Sequence, residues 1–224
     1  MLVAGIDVWR KRWVAIVLRD GRYEHAVVES ELDTLLAALA GMAAIGIDMP
    51  LGLTSGTMRR KADDEARKFV GPRRGTSVFP TYPREVYEAL NYDAARETCL
   101  KLTEGSISRQ AYALGERILE LERTVERQRE VREVHPEVSF REMAGRHVSW
   151  PKSSWNGLHE RRQLLLDQGV RIPIEIKAIG NAGAEDVLDA AAAAWSAERI
   201  AQGTARTLPN QPQAANGREI AIWY

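Results

Sequence analysis

Two short segments of the chain end alike, Ala4-Gly5-Ile6-Asp7 and Ile45-Gly46-Ile47-Asp48. Each is an apolar run closing on a carboxylate, the pattern of a buried strand that delivers an acid to the edge of a sheet. If the two strands lie parallel and adjacent, Asp7 and Asp48 meet at the carboxyl edge, where open α/β sheets bind ligands. Carboxylates one strand spacing apart, about 4.8 Å, repel unless a cation joins them. Asp186 and Asp189 stand three residues apart, on one face of a helix. If that face crosses the same edge, three or four carboxylates converge. Hard oxygen ligands select Mg²⁺ or Mn²⁺ over zinc, and a pair of such ions about 3.5 to 4 Å apart activates water and stabilises the leaving oxygen in phosphodiester cleavage. Asp7, Asp48, Asp186 and Asp189 are therefore the expected metal ligands and catalytic acids. The competing role is structural: a strand-end Asp caps a turn, and Asp186 with Glu185 complements the positive end of a helix.

Glu133-Val134-His135-Pro136-Glu137 gathers three titratable side chains that strand alternation would aim to one face. Glu133 is the stronger site candidate, expected to join the catalytic acids. His135 has no second histidine at ligand spacing and reads as part of a hydrogen-bonded network. Residues 54–84 hold eight basic residues against Asp63, Asp64 and Glu65, a local net of +5. Arginine forks match phosphate oxygens, so Arg73 and Arg74, in a Gly- and Pro-flanked loop, are the expected clamp on a nucleic-acid backbone. The alternative is a solvated helix face with pairs such as Asp63 and Arg67. Lys152 is a third substrate-binding candidate, able to neutralise a phosphate. Trp150 and Trp155 flank it and could stack on bases, whereas the other tryptophans read as packing. Cys99 has no activating neighbour and reads as inert.

These residues need elements to position them. Leu2–Val8, Trp13–Leu18 and Tyr23–Val28 read as three strands, the last two joined by an Asp20-Gly21 hairpin turn. Ser30 is the expected N-cap of a helix carrying Leu32, Leu35, Leu36 and Leu39, stopped at Gly41. A fourth strand runs from Ala43 to Met49. From Ile107 to Val125 apolar residues recur in steps of four and three, one stripe of a long helix. Val131–Phe140 reads as a fifth strand, and a last helix covers about Ala184 to Gln202, its Ala190–Ala194 run favouring helix. The tail from Glu219 to Tyr224 is a candidate edge strand. Two stretches, 51–95 and 145–180, read as irregular insertions, the first with room for short helices. The order predicts one α/β domain over 1–224: a mixed five-stranded sheet with helices on both faces, an order shared by the RNase H-like fold.

Composition narrows the classes. The 224 residues are 45% hydrophobic and 28% charged, which excludes a disordered or fibrous chain. Thirty-one basic residues balance 31 acidic ones, so nucleic-acid binding must come from a local patch. No apolar run approaches the roughly 18 residues of a membrane helix. A single cysteine forms no internal disulfide, and the N-terminus lacks the charged region of a signal peptide, so the expectation is a reduced, cytoplasmic protein without a membrane partner.

A set of motifs spans nearly the whole chain: Gly5-Ile6-Asp7 with Trp13-Val14, Ile45 to Leu53, Asp63 with Arg67, Arg73 to Pro80, Ser108 with Gln110, Glu133 to Glu137 with Ser139-Phe140, Lys152, and Asp186 with Asp189-Ala190. Through them the chain resembles the domain-of-unknown-function family number 429, predicted RNase H-like nucleases. The resemblance implies that fold and a divalent-metal site with Asp7, Asp48, Asp186 and Asp189 at the positions of the RNase H-like acids. Relatives often carry glycines between the first Asp and the Trp; this chain has Val8-Trp9-Arg10-Lys11-Arg12 there, a bulkier and more basic turn. The leading expectation is an Mg²⁺- or Mn²⁺-dependent nuclease. Its rivals are a nucleic-acid or protein-binding module on the same fold and, less favoured, an actin-like phosphotransferase, which would want a glycine-rich phosphate hairpin after Asp7.

Overall fold

The computed structural model describes residues 1–125 and 130–224. Strands β1 (Leu2–Trp9), β2 (Arg12–Arg19) and β3 (Arg22–Glu29) form an antiparallel meander. Its second turn is Asp20-Gly21, with φ of 49° and 75°. That positive pair matches the right-handed twist of the flanking strands. The first turn places Arg10 at φ 57°, a left-handed conformation that costs a non-glycine residue some strain.

Helix α1 (Leu32–Ala38) starts after Glu31 rather than after Ser30; the Glu31 side chain makes no capping bond, and the Leu32 N–H donates instead to the Glu120 carboxylate at 3.2 Å. The chain then returns as β4 (Ile45–Ile47), parallel to β1, with Gly5 opposite Gly46 and Ile6 opposite Ile47. The first long connection carries α2 (Lys61–Val70), α3 (Arg84–Tyr87) and the start of α4 (Tyr92–Leu102). The striped helix is α5 (Arg109–Thr124), and β5 (Val131–Glu133) adds parallel to β4. The sheet order is β3-β2-β1-β4-β5, a mixed sheet of five strands.

Three expectations need correction. The segment Val131–Phe140 is not one strand: Pro136 takes the first position of α6 (Pro136–Ala144), where its missing N–H is harmless and its fixed φ suits a helix. Residues 145–180 are not irregular throughout, since Ser154 caps α7 (Trp155–Asp167) by accepting from the Gly157 N–H. After α8 (Ala184–Ala201), the tail strand β7 (Arg218–Trp223) pairs with β6 (Thr207–Ala215) in a separate hairpin, touching the main sheet through one bridge from Trp223 to Val134.

Alternation along β1 and β2 divides the core. Ala4, Ile6, Trp13, Ala15 and Val17 face α1 and α5, meeting Leu32, Leu35, Ile118 and Leu121. Val3, Val14, Ile16 and Leu18 face α8 together with Phe140 and Leu165. Each buried Leu or Ile contributes about 1.5 to 3 kcal/mol of transfer free energy, so the layers are held from both sides.

Candidate metal centre

The repeated Gly-Ile-Asp ending has a packing cause. Gly5 and Gly46 sit side by side on the face covered by α8, and a β-carbon on either would overlap the α8 backbone at Ala190, Ala193 or Ala194. Glycine below and alanine above let helix and sheet meet backbone to backbone. The alanine run is therefore a contact surface, beyond its helix propensity. Two residues on, and so on the same face, Asp7 and Asp48 emerge next to each other, with the Asp48 N–H donating to the Ile6 carbonyl at 2.9 Å. The close approach of α8 lowers Asp189 onto them. One carboxylate oxygen from each of Asp7, Asp48 and Asp189 lies within 4.8 Å of the others.

Burial is the first cause that raises all three carboxyls. Asp7 is pushed well above the usual carboxylate range, with Asp48 and Asp189 adding to the effect. Asp48 rises to about 7 and Asp189 to about 6, each opposed by Lys152. The Lys152 ammonium donates to Asp189 Oδ2 at 2.6 Å. Burial works against its charge, but the pull of Asp189, Asp48 and Asp7 prevails and raises its pKa.

The other expected residues divide. Asp186 lines the same cleft of about 690 Å³ but stays at its rim, half-buried, with its carboxylate turned to the N–H of Gly183. This is the reach from the third helical residue back to the N-cap that satisfies an orphan donor. Glu133 also lines the cleft, but its oxygens accept from the Arg60 guanidinium and from the Leu51 N–H at 2.8 Å. Arg60 bonds Asp63 at 2.5 Å as well, and Asp63 accepts from the Thr81 N–H at 2.6 Å. That buried network ties the 51–81 insertion to β5.

Glu137 is the acid that acts on the aspartates instead. It raises both Asp48 and Asp189. One of its oxygens accepts from Arg161 at 2.5 Å; the other, Oε2, is buried without a hydrogen-bond partner. Strand alternation aims Glu133, His135 and Glu137 to one face, with Glu133 the expected site acid; Glu137 instead enters the cleft from the first turn of the helix begun at Pro136. His135 caps that helix, its Nδ1 accepting from the Glu137 N–H at 3.2 Å, in the structural role expected of it. Burial lowers its pKa, so the ring is neutral near pH 7.

Arg73 is exposed and Arg74 half-buried in the turn after α2. Neither lines the cleft, although Thr76 to Thr81, just beyond them, do. Several cations of the +5 segment are already paired: Arg60 with Asp63 and Glu133, Lys68 with Glu65, and Arg84 with Glu122. Trp155, 75% exposed, and Trp150, 50% exposed, stand near Lys152. A shallow pocket bordered by Trp155 shares Lys152 and Asp186 with the cleft. Cys99 is buried, as an inert thiol would be.

Over residues 5–214 the chain matches the family described as Protein of unknown function (DUF429). It belongs to that family. The matched span contains all three clustered aspartates. No curated protein and no solved structure matches the chain. In this DUF429 member, no helix among the described residues is long and apolar enough to cross a membrane.

The donor set fits a hard divalent cation. Three carboxylates converge without a cysteine or histidine among them, so the group could hold a metal ion through oxygen donors alone. Three close-set acids, Asp7 and Asp189 buried and Asp48 half-buried, also repel in the absence of positive charge, and desolvation has already made their ionisation costly. A cation that relieves both effects binds with a built-in driving force.

Proposed function

We propose that the protein is a divalent-metal-dependent phosphodiesterase of RNase H-like type that acts on nucleic acid in the cytoplasm. The observation that carries this reading is the meeting of Asp7, Asp48 and Asp189 at the carboxyl edge of two adjacent parallel strands, one acid from each strand and one from the helix above. The sheet order, an antiparallel meander followed by two parallel strands, is the one expected of that fold. Asp7, Asp48 and Asp189 would hold Mg²⁺ or Mn²⁺, which when bound supplies Lewis acidity toward a phosphoryl oxygen and lowers the pKa of a coordinated water. Asp186 at the rim borders the path of the substrate. Lys152 offers positive charge at the reacting phosphate, and Arg73 with Arg74 contacts the backbone farther out. The exposed Trp155 offers a face on which an unpaired base stacks.

One feature favours the rival reading, a binding module whose acids serve structure: Lys152 already satisfies Asp189 from within the chain. Incubating the protein with labelled single- and double-stranded DNA and RNA in Mn²⁺ separates the two. Cleavage lost in EDTA and in Asp7→Asn is expected. Metal-independent oligonucleotide binding without cleavage would support the module.

A further inference from the structure

The cleft contains its own cation, Lys152, whose ammonium is bonded to Asp189 and whose loop is held from two sides. Lys152 lies between Trp150 and Ser154, in a loop held at one end by Glu160, which accepts from the Ser149 N–H at 3.2 Å. At the other end Ser154 both caps α7 and donates to the Pro151 carbonyl at 2.7 Å. Arg161 joins this loop to the acids. Its guanidinium donates to the Trp150 carbonyl at 3.1 Å and to Glu137 at 2.5 Å. The side chain of Arg161 is 1% exposed, so it acts as a buried strut between the Lys152 loop and α6.

Besides one another, the charged side chains felt by the aspartates are Lys152, which is bonded to Asp189, and Glu137. Glu137 is neutralised by Arg161. With all three aspartates ionised, as metal ligation requires, three carboxylates against the one ammonium paired with Asp189 leave two negative charges, the charge of one divalent ion. Two such ions would reverse the sign of a buried site and leave it with two uncompensated positive charges, which a low-dielectric interior penalises heavily.

We propose that the centre binds one divalent ion, and that the Lys152 ammonium is the second positive centre that a pair of metal ions would otherwise provide. This rests on the metal-dependent reading above and specifies it. Lys152 is then a specificity-determining residue: its fixed position beside Asp189 sets the metal count.

The test is to count tightly bound Mn²⁺ in the full-length protein, from the loss of the free-ion signal in electron paramagnetic resonance, for wild type, Lys152→Met and Lys152→Arg. Wild type and Lys152→Arg should each bind one equivalent. Lys152→Met, which removes the charge and keeps the stem, should bind two, with the line broadening of a spin-coupled pair. Two equivalents in wild type would overturn the proposal and leave the metal-dependent function standing. One equivalent in both wild type and Lys152→Met would overturn it as well, because the lysine would then not set the count. No binding by any of the three would overturn the proposal and the metal-dependent function together. Should Lys152→Met fail to fold, Lys152→Gln, which also removes the charge, takes its place with the same expected and overturning counts.

Discussion

Gly5 lies directly beneath Ala194, with no room for a β-carbon between the strand and the backbone of α8. The contact does more than fill the core. It sets the height of the helix above the sheet, and with it the distance from Asp189 to Asp7 and Asp48.

Gly5→Ala should therefore be among the most damaging small substitutions in the chain, costing about 3 kcal/mol, the upper end of overpacking penalties, or preventing folding. Gly105→Ala is the control, because a β-carbon there meets nothing within 4 Å. It should change stability by less than about 0.5 kcal/mol. Urea unfolding of both variants checks this, and equal costs would contradict the close packing.

Arg60 binds Glu133 and Asp63 in a buried network, with its side chain 1% exposed. Removing the cation strands two buried carboxylates. Arg60→Ala should lose about 3 to 5 kcal/mol, measured by chemical denaturation, without changing the metal content of the fraction that remains folded. Loss of metal at unchanged stability would place Glu133 among the ligands instead.

The raised carboxyls carry a signed pH dependence. Asp48 at about 7 and Asp189 at about 6 bind more protons in the folded than in the unfolded chain between about pH 4 and pH 7. Their contribution to stability is present at the acidic end of that window and is lost as pH rises through the folded values. In EDTA, the melting temperature of wild type should thus fall relative to Asp48→Asn between pH 5 and pH 7.5. A difference that does not change with pH would contradict it.

Arg73 and Arg74 stand outside the cleft and make no ion pair among the described residues. If they clamp a backbone, Arg73→Ala with Arg74→Ala should weaken binding to unrelated oligonucleotides to a similar extent and flatten the salt slope by about one unit per lost phosphate contact. Fluorescence anisotropy across a salt series measures the slope. An unchanged slope would remove the clamp.

Much of the centre was legible because strand alternation and the repeated Gly-Ile-Asp ending are local signals, and both acids fell where that pattern put them. Asp189 was legible as one of a helical pair; its separation from Asp186 was not, because a reach back to the Gly183 N–H depends on where the helix begins. The choice between Glu133 and Glu137 turned on Pro136, which ends one periodicity and starts another within a single residue. Helix α7 was hidden because Leu164, Leu165 and Leu166 are consecutive rather than spaced as a stripe. Strand β6 carries Pro209 and Pro212 and, among the described residues, pairs only with β7, so nothing in its own sequence marked it as a strand. The role of Lys152 depends on a loop folding back over α8, a long-range contact that no local pattern encodes.

The central claim is that Asp7, Asp48 and Asp189 form a cation site, and thermal melts of wild type, Asp7→Asn and Asp48→Asn in EDTA and in Mn²⁺ test it most directly. Asparagine keeps the shape of each side chain, so both variants should fold in EDTA and melt no lower than wild type, relieved of a repelling charge. In Mn²⁺ at about 100 times its dissociation constant, wild type should gain about 2.7 kcal/mol, and each variant should lose most of that gain. An equal response to Mn²⁺ in all three proteins, or a loss of about 1 kcal/mol in each variant with or without the ion, would contradict the site and make the aspartates structural.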